Sequence, residues 1–217
     1  MYNNIPTRAL TGEVRLSYVN LVEPRTNNND PNGTPKYSVT LLIPKSDVAT
    51  KQNIDASIEA AIVEAQSKKW GGIRPPKPPI PIHDGDGIRD NGTPYGEECK
   101  GHWIITASSK NKPQVVHQSD INTELLPQDI YSGMYARVTI NFAGYNTVGK
   151  RGIGCYLGNV MKTREGEPLA GGASAAVDFA GVGMTPGAPQ APTPPTYNPL
   201  GFPQGAVNPL TGQPYNG

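Results

Sequence analysis

The chain has 217 residues, 36% of them hydrophobic, with 25 glycines, 23 prolines and a formal net charge of +1. That length accommodates one ordinary domain plus an appendage, and no stretch approaches the roughly 18 apolar residues of a membrane span. All 19 Lys and Arg lie at or before Arg164, while only Asp178 among the 18 acidic residues lies beyond Glu167. The first 169 residues are thus close to charge balance, so any polyanion must be met by local clustering of cations and not by a global field. Two cysteines give no disulfide framework and fit a reducing compartment. With no apolar run in residues 1–10 to act as a signal, the expected location is the cytoplasm of a bacterial cell.

Residues 12–22 alternate imperfectly, Val14, Leu16, Tyr18 and Val22 against Glu13, Arg15, Ser17 and Leu21, and read as a strand. A polar loop over 23–35 follows, with Asn32-Gly33 as its turn signal. Residues 36–44 form the cleanest strand, Tyr37, Val39, Leu41 and Ile43 alternating with Lys36, Ser38, Thr40 and Leu42 until Pro44 stops it. Ser46 or Asp47 then caps a helix to about residue 69, with Ile54, Ile58, Ala61, Ile62 and Ala65 on one stripe. Its small stripe and mixed-sign polar face do not suit a membrane surface.

Residues 70–100 are rich in Pro and Gly and read as one long loop. Its Trp70, Arg74, Lys77, Arg89 and Tyr95 either wrap a ligand or belong to a surface excursion with an aromatic tucked down. A strand over 101–108 is expected to pair with residues 113–118 across the turn 109–112, and residues 119–130 form a polar connection with one helical turn. Next comes a hairpin. Met134, Ala136, Val138, Ile140 and Phe142 share one face, with Tyr135, Arg137, Thr139 and Asn141 on the other. A glycine-bearing basic loop over 143–151 leads to a second strand over 153–162. The polar face joins an aromatic ring to cations. On residue types alone it reads first as the plain wet face of an antiparallel sheet, and it also offers what sequence-tolerant binding of a single nucleic-acid strand requires.

Several modest patterns then fall in a familiar order. Gly133-Met134-Tyr135-Ala136-Arg137-Val138, Gly149-Lys150-Arg151-Gly152, Gly154-x-x-Leu157-Gly158-Asn159-Val160 and Glu165-Gly166-Glu167-Pro168-Leu169 together resemble the C-terminal hairpin of bacteriophage single-stranded DNA-binding proteins, which adopt an OB fold. The opening Thr11-Gly12-Glu13-Val14-Arg15 and the turn His83-Asp84-Gly85-Asp86-Gly87 also fit, so the likeness covers most of residues 5–170. The resemblance implies a mainly β, OB-type Greek-key barrel with one long helix over residues 1–169. The helix is placed after the second strand, where the usual OB order has it after the third. It also implies non-catalytic, sequence-tolerant binding of single-stranded DNA in phage replication, recombination or repair. The expected contacts are Tyr135, Arg137, Lys150 and Arg151 of the hairpin, then Trp103, Lys110 and Lys112, then Tyr37. Tyr37 and Trp103 alternate with apolar residues and are equally readable as core.

Residues 170–217 are low in complexity and read as a disordered Pro/Gly-rich tail. Its Tyr197-Asn198-Pro199-Leu200-Gly201 and Asn208-Pro209-Leu210-Thr211-Gly212-Gln213-Pro214-Tyr215 form an imperfect repeat whose aromatics and prolines suit a peptide ligand for a replication or recombination protein. The sequence admits an oligomer without specifying one. No cofactor or metal is expected. Cys99-x-x-His102 lacks the second ligand pair of a zinc site, Asp84, Asp86 and Asp90 lack the closing Glu of a calcium loop, and Gly152-x-Gly154-x-x-x-Gly158 is one residue too long for a dinucleotide fingerprint. Two other readings remain open at this level: a virion scaffold component, and a metal-dependent nuclease built on Asp84, Asp86 and Asp90.

Overall fold

A computed structural model describes residues 5–26, 32–147 and 150–169. Among them nine strands join in one sheet. In chain order they are β1 (Arg8–Leu10), β2 (Val14–Arg25), β3 (Lys36–Pro44), β4 (Ile82–Asp84), β5 (His102–Ser109), β6 (Val115–His117), β7 (Asp120–Glu124), β8 (Tyr135–Thr147) and β9 (Lys150–Arg164). A single long helix, α1 (Val48–Lys68), lies between β3 and β4.

Five of these strands close on themselves. β2 pairs with β3, β3 with β5, β5 with β9, β9 with β8, and β8 returns to β2. This is the closed Greek-key barrel of an OB fold, with α1 following the second barrel strand as expected. Four of the pairings are antiparallel. The fifth, β5 with β9, is parallel and rests on one Cα pair, Ser108 with Tyr156. β1 extends the sheet beside β8, β4 pairs with β5, and β6 and β7 continue from β9.

Alternation decides which side chains fill the barrel. Val39, Leu41 and Ile43 of β3, Ile105 and Ala107 of β5, and Ala136, Val138, Ile140 and Phe142 of β8 are buried in one cluster. The stripe Ile54, Ile58, Ala61, Ile62 and Ala65 of α1 joins the same cluster, so the helix is held by its apolar face and not by propensity alone. Asp47 caps its first turn by accepting from the Thr50 N–H at 3.0 Å, an interaction worth about 1 kcal/mol. At its far end Trp70 is buried and its indole N–H donates to the Tyr145 carbonyl at 2.9 Å.

Three expectations are corrected. The residues following Phe142 are strand and not loop: β8 and β9 stay in register out to Thr147 and Lys150, with Tyr145 opposite Gly152. Glycine there serves close packing. A Cβ on Gly144 would collide with that of Ala65, and one on Gly152 would meet the Tyr145 ring. Residues 115–117 do not pair with β5; they add to β9 in parallel and to β7, a strand that its exposed, polar sequence concealed. The 70–100 segment contains β4 and a 3-10 turn at Glu97–Cys99, and two of its cations are engaged, Arg74 with Glu59 and Arg89 against the Tyr95 ring. The expected tail, residues 170–217, and part of the first loop lie outside the described residues.

Candidate nucleic-acid interface

The face of β3 and β5 that turns away from the core carries hydroxyls and cations, because those residues alternate with the buried ones. The register sets them in rows across the barrel. Ser17, Thr40 and Thr106 make one row; Asn20, Ser38, Ser108 and Tyr156 make the next. Thr40 and Thr106 share a hydrogen bond of 3.0 Å, and the Asn20 amide donates to Ser38 at 3.3 Å. At the end of the rows Arg25 stands directly opposite Lys36, and Lys110 follows the last residue of β5. Apart from Ser17 and Tyr156, these side chains join Tyr18 and the segment 32–34 in lining an open concavity of about 890 Å³. On its other side lies an apolar row, Leu42 beside Ile104, covered by Cys99, Tyr95 and Leu169.

Many cations outside the groove are held in ion pairs. Lys45 pairs with Asp84 and Asp86, Lys51 with Asp55, Lys68 with Glu64, Lys162 with Glu165 and Arg164 with Glu13. Among the described residues, Arg25, Lys36 and Lys110 have no such carboxylate. Like charges placed opposite one another in a sheet destabilise it, so the Arg25–Lys36 pair is tolerable for folding and favourable only when an anion arrives.

Tyr18 was expected on the core face with Leu16, yet it is 66% exposed. The cause is a β-bulge. Between the pairs Ser17–Thr40 and Asn20–Ser38, β2 advances three residues while β3 advances two. The extra residue turns the alternation over and leaves Tyr18 at φ +47°, the only non-glycine residue with positive φ among those described. The Asn20 amide fastens the bulge by donating to the Tyr18 carbonyl at 3.2 Å, and the Val19 N–H donates to Ser132 Oγ at 3.0 Å.

Of the eight residues singled out from the sequence, Lys110 alone lines the groove. Tyr37 and Trp103 pack partly buried against the core, and Trp103 has the ammonium groups of Lys45 and Lys51 at 5.0 and 4.7 Å from its ring centroid. Tyr135 lies on the outer surface beyond the apolar row, stacked by Arg164 at 3.3 Å with Arg15 at 5.9 Å. Arg137 is exposed near Glu13. Lys112 is 3.8 Å from Glu124. Lys150 and Arg151 sit at the free end of the β8–β9 hairpin, opposite Thr147 and Asn146, where Asn146 bonds the Lys69 carbonyl and Ile153 bonds that of Pro79.

Sequence reading missed Tyr18, Arg25, Lys36 and Tyr156. Tyr156 was legible: it alternates with Ile153, Cys155 and Leu157, which are buried, and it is 46% exposed. Tyr18 was not, since nothing in Ser17-Tyr18-Val19-Asn20 announces a bulge.

The acidic and thiol groups are accounted for differently. Asp84 and Asp86 share Lys45, which holds both carboxyls below their usual range, helped by backbone donors from Asp86 and Gly101 respectively. Cys155 is in the barrel core and Cys99 in the separate Leu42–Ile104 cluster, and burial pushes both thiols up. Among the described residues no group of three His, Cys, Asp or Glu is arranged to hold a metal ion, and no helix is long and apolar enough to cross a membrane.

A closed OB barrel with hydroxyls, unpaired cations and exposed rings on its β3–β5 face defines the oligonucleotide-binding class of that fold. The chain belongs to the family described as Enterobacter phage Enc34, ssDNA-binding protein, whose family model matches residues 7–187. It is 33% identical over 171 residues to protein p50 of Acyrthosiphon pisum secondary endosymbiont phage 1, covering 76% of this chain and 88% of that one. Among solved structures it is similar to the single-stranded DNA-binding protein from bacteriophage Enc34 in complex with ssDNA, with TM-score 0.64 and 28% identity over 76% of this chain and 90% of that one. The same phage protein described without mention of DNA gives a TM-score of 0.61 at 28% identity, over 80% and 90% of the two chains.

Proposed function

We propose that the protein binds single-stranded DNA without strong sequence preference, shielding and organising it during phage replication, recombination or repair in the cytoplasm of the host cell, and that it does so without catalysis. Membership of the Enc34 family supports the ligand, as does likeness to a structure of the Enc34 protein holding ssDNA. The observation that carries the reading on this chain is the Arg25–Lys36 pair, opposed across two strands with no carboxylate among the described residues to neutralise it.

The mechanism follows from the residue types. Arg25, Lys36 and Lys110 neutralise phosphates and release counterions. Ser38, Thr40, Thr106 and Ser108 offer hydroxyls to phosphate and sugar oxygens, contacts that position a strand without reading its bases. Lys150, Arg151 and Arg137 supply further cations on other parts of the surface.

Fluorescence polarisation of a labelled oligothymidine, titrated with salt, tests this. Wild type binds at low salt and weakens as salt rises, and a Lys36→Ala/Lys110→Ala variant binds more weakly with a salt slope shallower by about 2. Absence of wild-type binding at low salt would sink the proposal. Binding with an unchanged slope in the variant would keep the function and remove the groove from it.

A further inference from the structure

We infer that Tyr18 and Tyr156 are the nucleobase-stacking residues of this surface, Tyr156 at one end of a row that runs across four barrel strands and Tyr18 at the bulge beside the row's other end. The inference rests on the single-strand reading above and names the part of the ligand that the groove's cations do not hold.

The register fixes the row. Asn20 pairs with Ser38, Ser38 with Ser108, and Ser108 with Tyr156; Tyr18 lies at the bulge that ends it. Three inter-strand steps set the backbones of Asn20 and Tyr156 about 14 Å apart along the sheet, with Tyr18 two residues along β2 from Asn20. Between them stand only short polar side chains, so a sugar–phosphate backbone can lie flat while its bases reach either ring. Both rings are exposed without serving the core, Tyr18 at 66% and Tyr156 at 46%. Among the described residues neither has a cation over its ring, in contrast to Tyr135, Tyr131 and Tyr95. The Tyr156 ring passes beside Gly154, where a Cβ would lie 3.6 Å from it, and glycine on both sides at 154 and 158 keeps the strand surface around it low.

The bulge makes the assignment sharper for Tyr18. A tyrosine at φ +47° is strained, since the left-handed region crowds Cβ against the carbonyl. Glycine would occupy the position without that crowding. A strained aromatic, exposed to water and fastened by Asn20 and Ser132, contributes nothing visible to packing; what it contributes is a ring held over the groove. Stacking needs a base freed from its duplex partner, so these rings also set the preference for single strands over duplex.

The test compares Tyr18→Ala, Tyr18→Gly, Tyr18→Phe and Tyr156→Ala on oligothymidine, on an abasic deoxyribose-phosphate oligomer of equal length, and on duplex of the same sequence. Loss of a stacked base lowers affinity by about 5- to 150-fold. Each Ala variant and Tyr18→Gly should lose that on oligothymidine and nothing on the abasic oligomer or duplex, while Tyr18→Phe binds like wild type. Tyr18→Gly should melt above Tyr18→Ala yet bind equally weakly, which separates the ring from the fold. Equal losses on oligothymidine and abasic oligomer, or no loss on either, would overturn the assignment while leaving single-strand binding intact. Wild type that fails to bind oligothymidine would overturn both.

Discussion

Arg25 and Lys36 face each other across the β2–β3 pairing, two cations in register with no carboxylate partner among the described residues. Removing the repulsion should help the fold and harm the ligand. Lys36→Glu, which sets an acid opposite Arg25, is expected to stabilise the protein by about 0.2–1 kcal/mol. It should also weaken oligothymidine binding by more than Lys36→Ala does. Urea unfolding and polarisation on the same samples check both signs. A variant less stable than wild type would mean the pair is compensated in a way the distances do not reveal.

Trp103 separates packing from binding. Its ring lies against the core with Lys45 and Lys51 on it, so Trp103→Phe should lower the melting temperature and leave oligothymidine affinity within twofold. The hairpin end is different. Lys150→Ala/Arg151→Ala should unfold like wild type and reduce the salt slope by no more than about 2. A full loss of binding in either variant would move the main contact surface away from the groove.

The contact of α1 with β8 depends on a missing side chain. Gly144→Val should cost about 1–3 kcal/mol or more, because a Cβ there meets Ala65. Ala65→Gly should rescue part of the loss due to Gly144→Ala, apart from its own helix penalty of about 1 kcal/mol. A double-mutant cycle in urea shows the coupling; strict additivity would place the strain elsewhere.

Acid should destabilise the protein. Thr163 and then Arg164 hold the Glu13 carboxyl below its ordinary value, and Lys162 and then Tyr131 do so for Glu165. Lys45 does the same for Asp84 and Asp86, and Arg74 for Glu59. A carboxyl depressed in the folded state contributes stability that is complete above its unfolded value, about 3.9–4.3, and is lost as pH falls through the folded value. Melting temperature should therefore be level from pH 7 to about 5 and drop below about 4. Glu165→Gln should flatten the drop. Unchanged melting down to pH 3 would contradict the assignment.

How much of this was legible depended on whether a residue's role is local. The 36–44 strand, the helix with its Asp47 cap, and the inward face from Met134 to Phe142 follow from alternation, a stop and a cap, and each was readable. β7 was not, because Asp120-Ile121-Asn122-Thr123-Glu124 is exposed throughout and has no apolar face to show. The pairing of Val115–His117 with β9 joins residues about 45 positions apart, and only the closed barrel selects it over the nearer β5. For the groove, Lys110 was legible because cations beside a strand are visible, while Arg25 and Lys36 become a pair only through register. Tyr18 depended on one inserted residue, whose effect is to reverse a face.

The single Ser108–Tyr156 pair that shuts the barrel joins residues 48 positions apart in the chain. Hairpins such as β8–β9 are local and can assemble early, whereas this closure has to await nearly the whole domain. The row that carries Asn20, Ser38, Ser108 and Tyr156 is completed at that same moment. Until that seam forms, Tyr156 belongs to a piece of chain separate from the groove on β2, β3 and β5. A nascent protein released before β9 would carry the groove's cations and Tyr18 but neither Tyr156 nor a closed barrel to hold them in place.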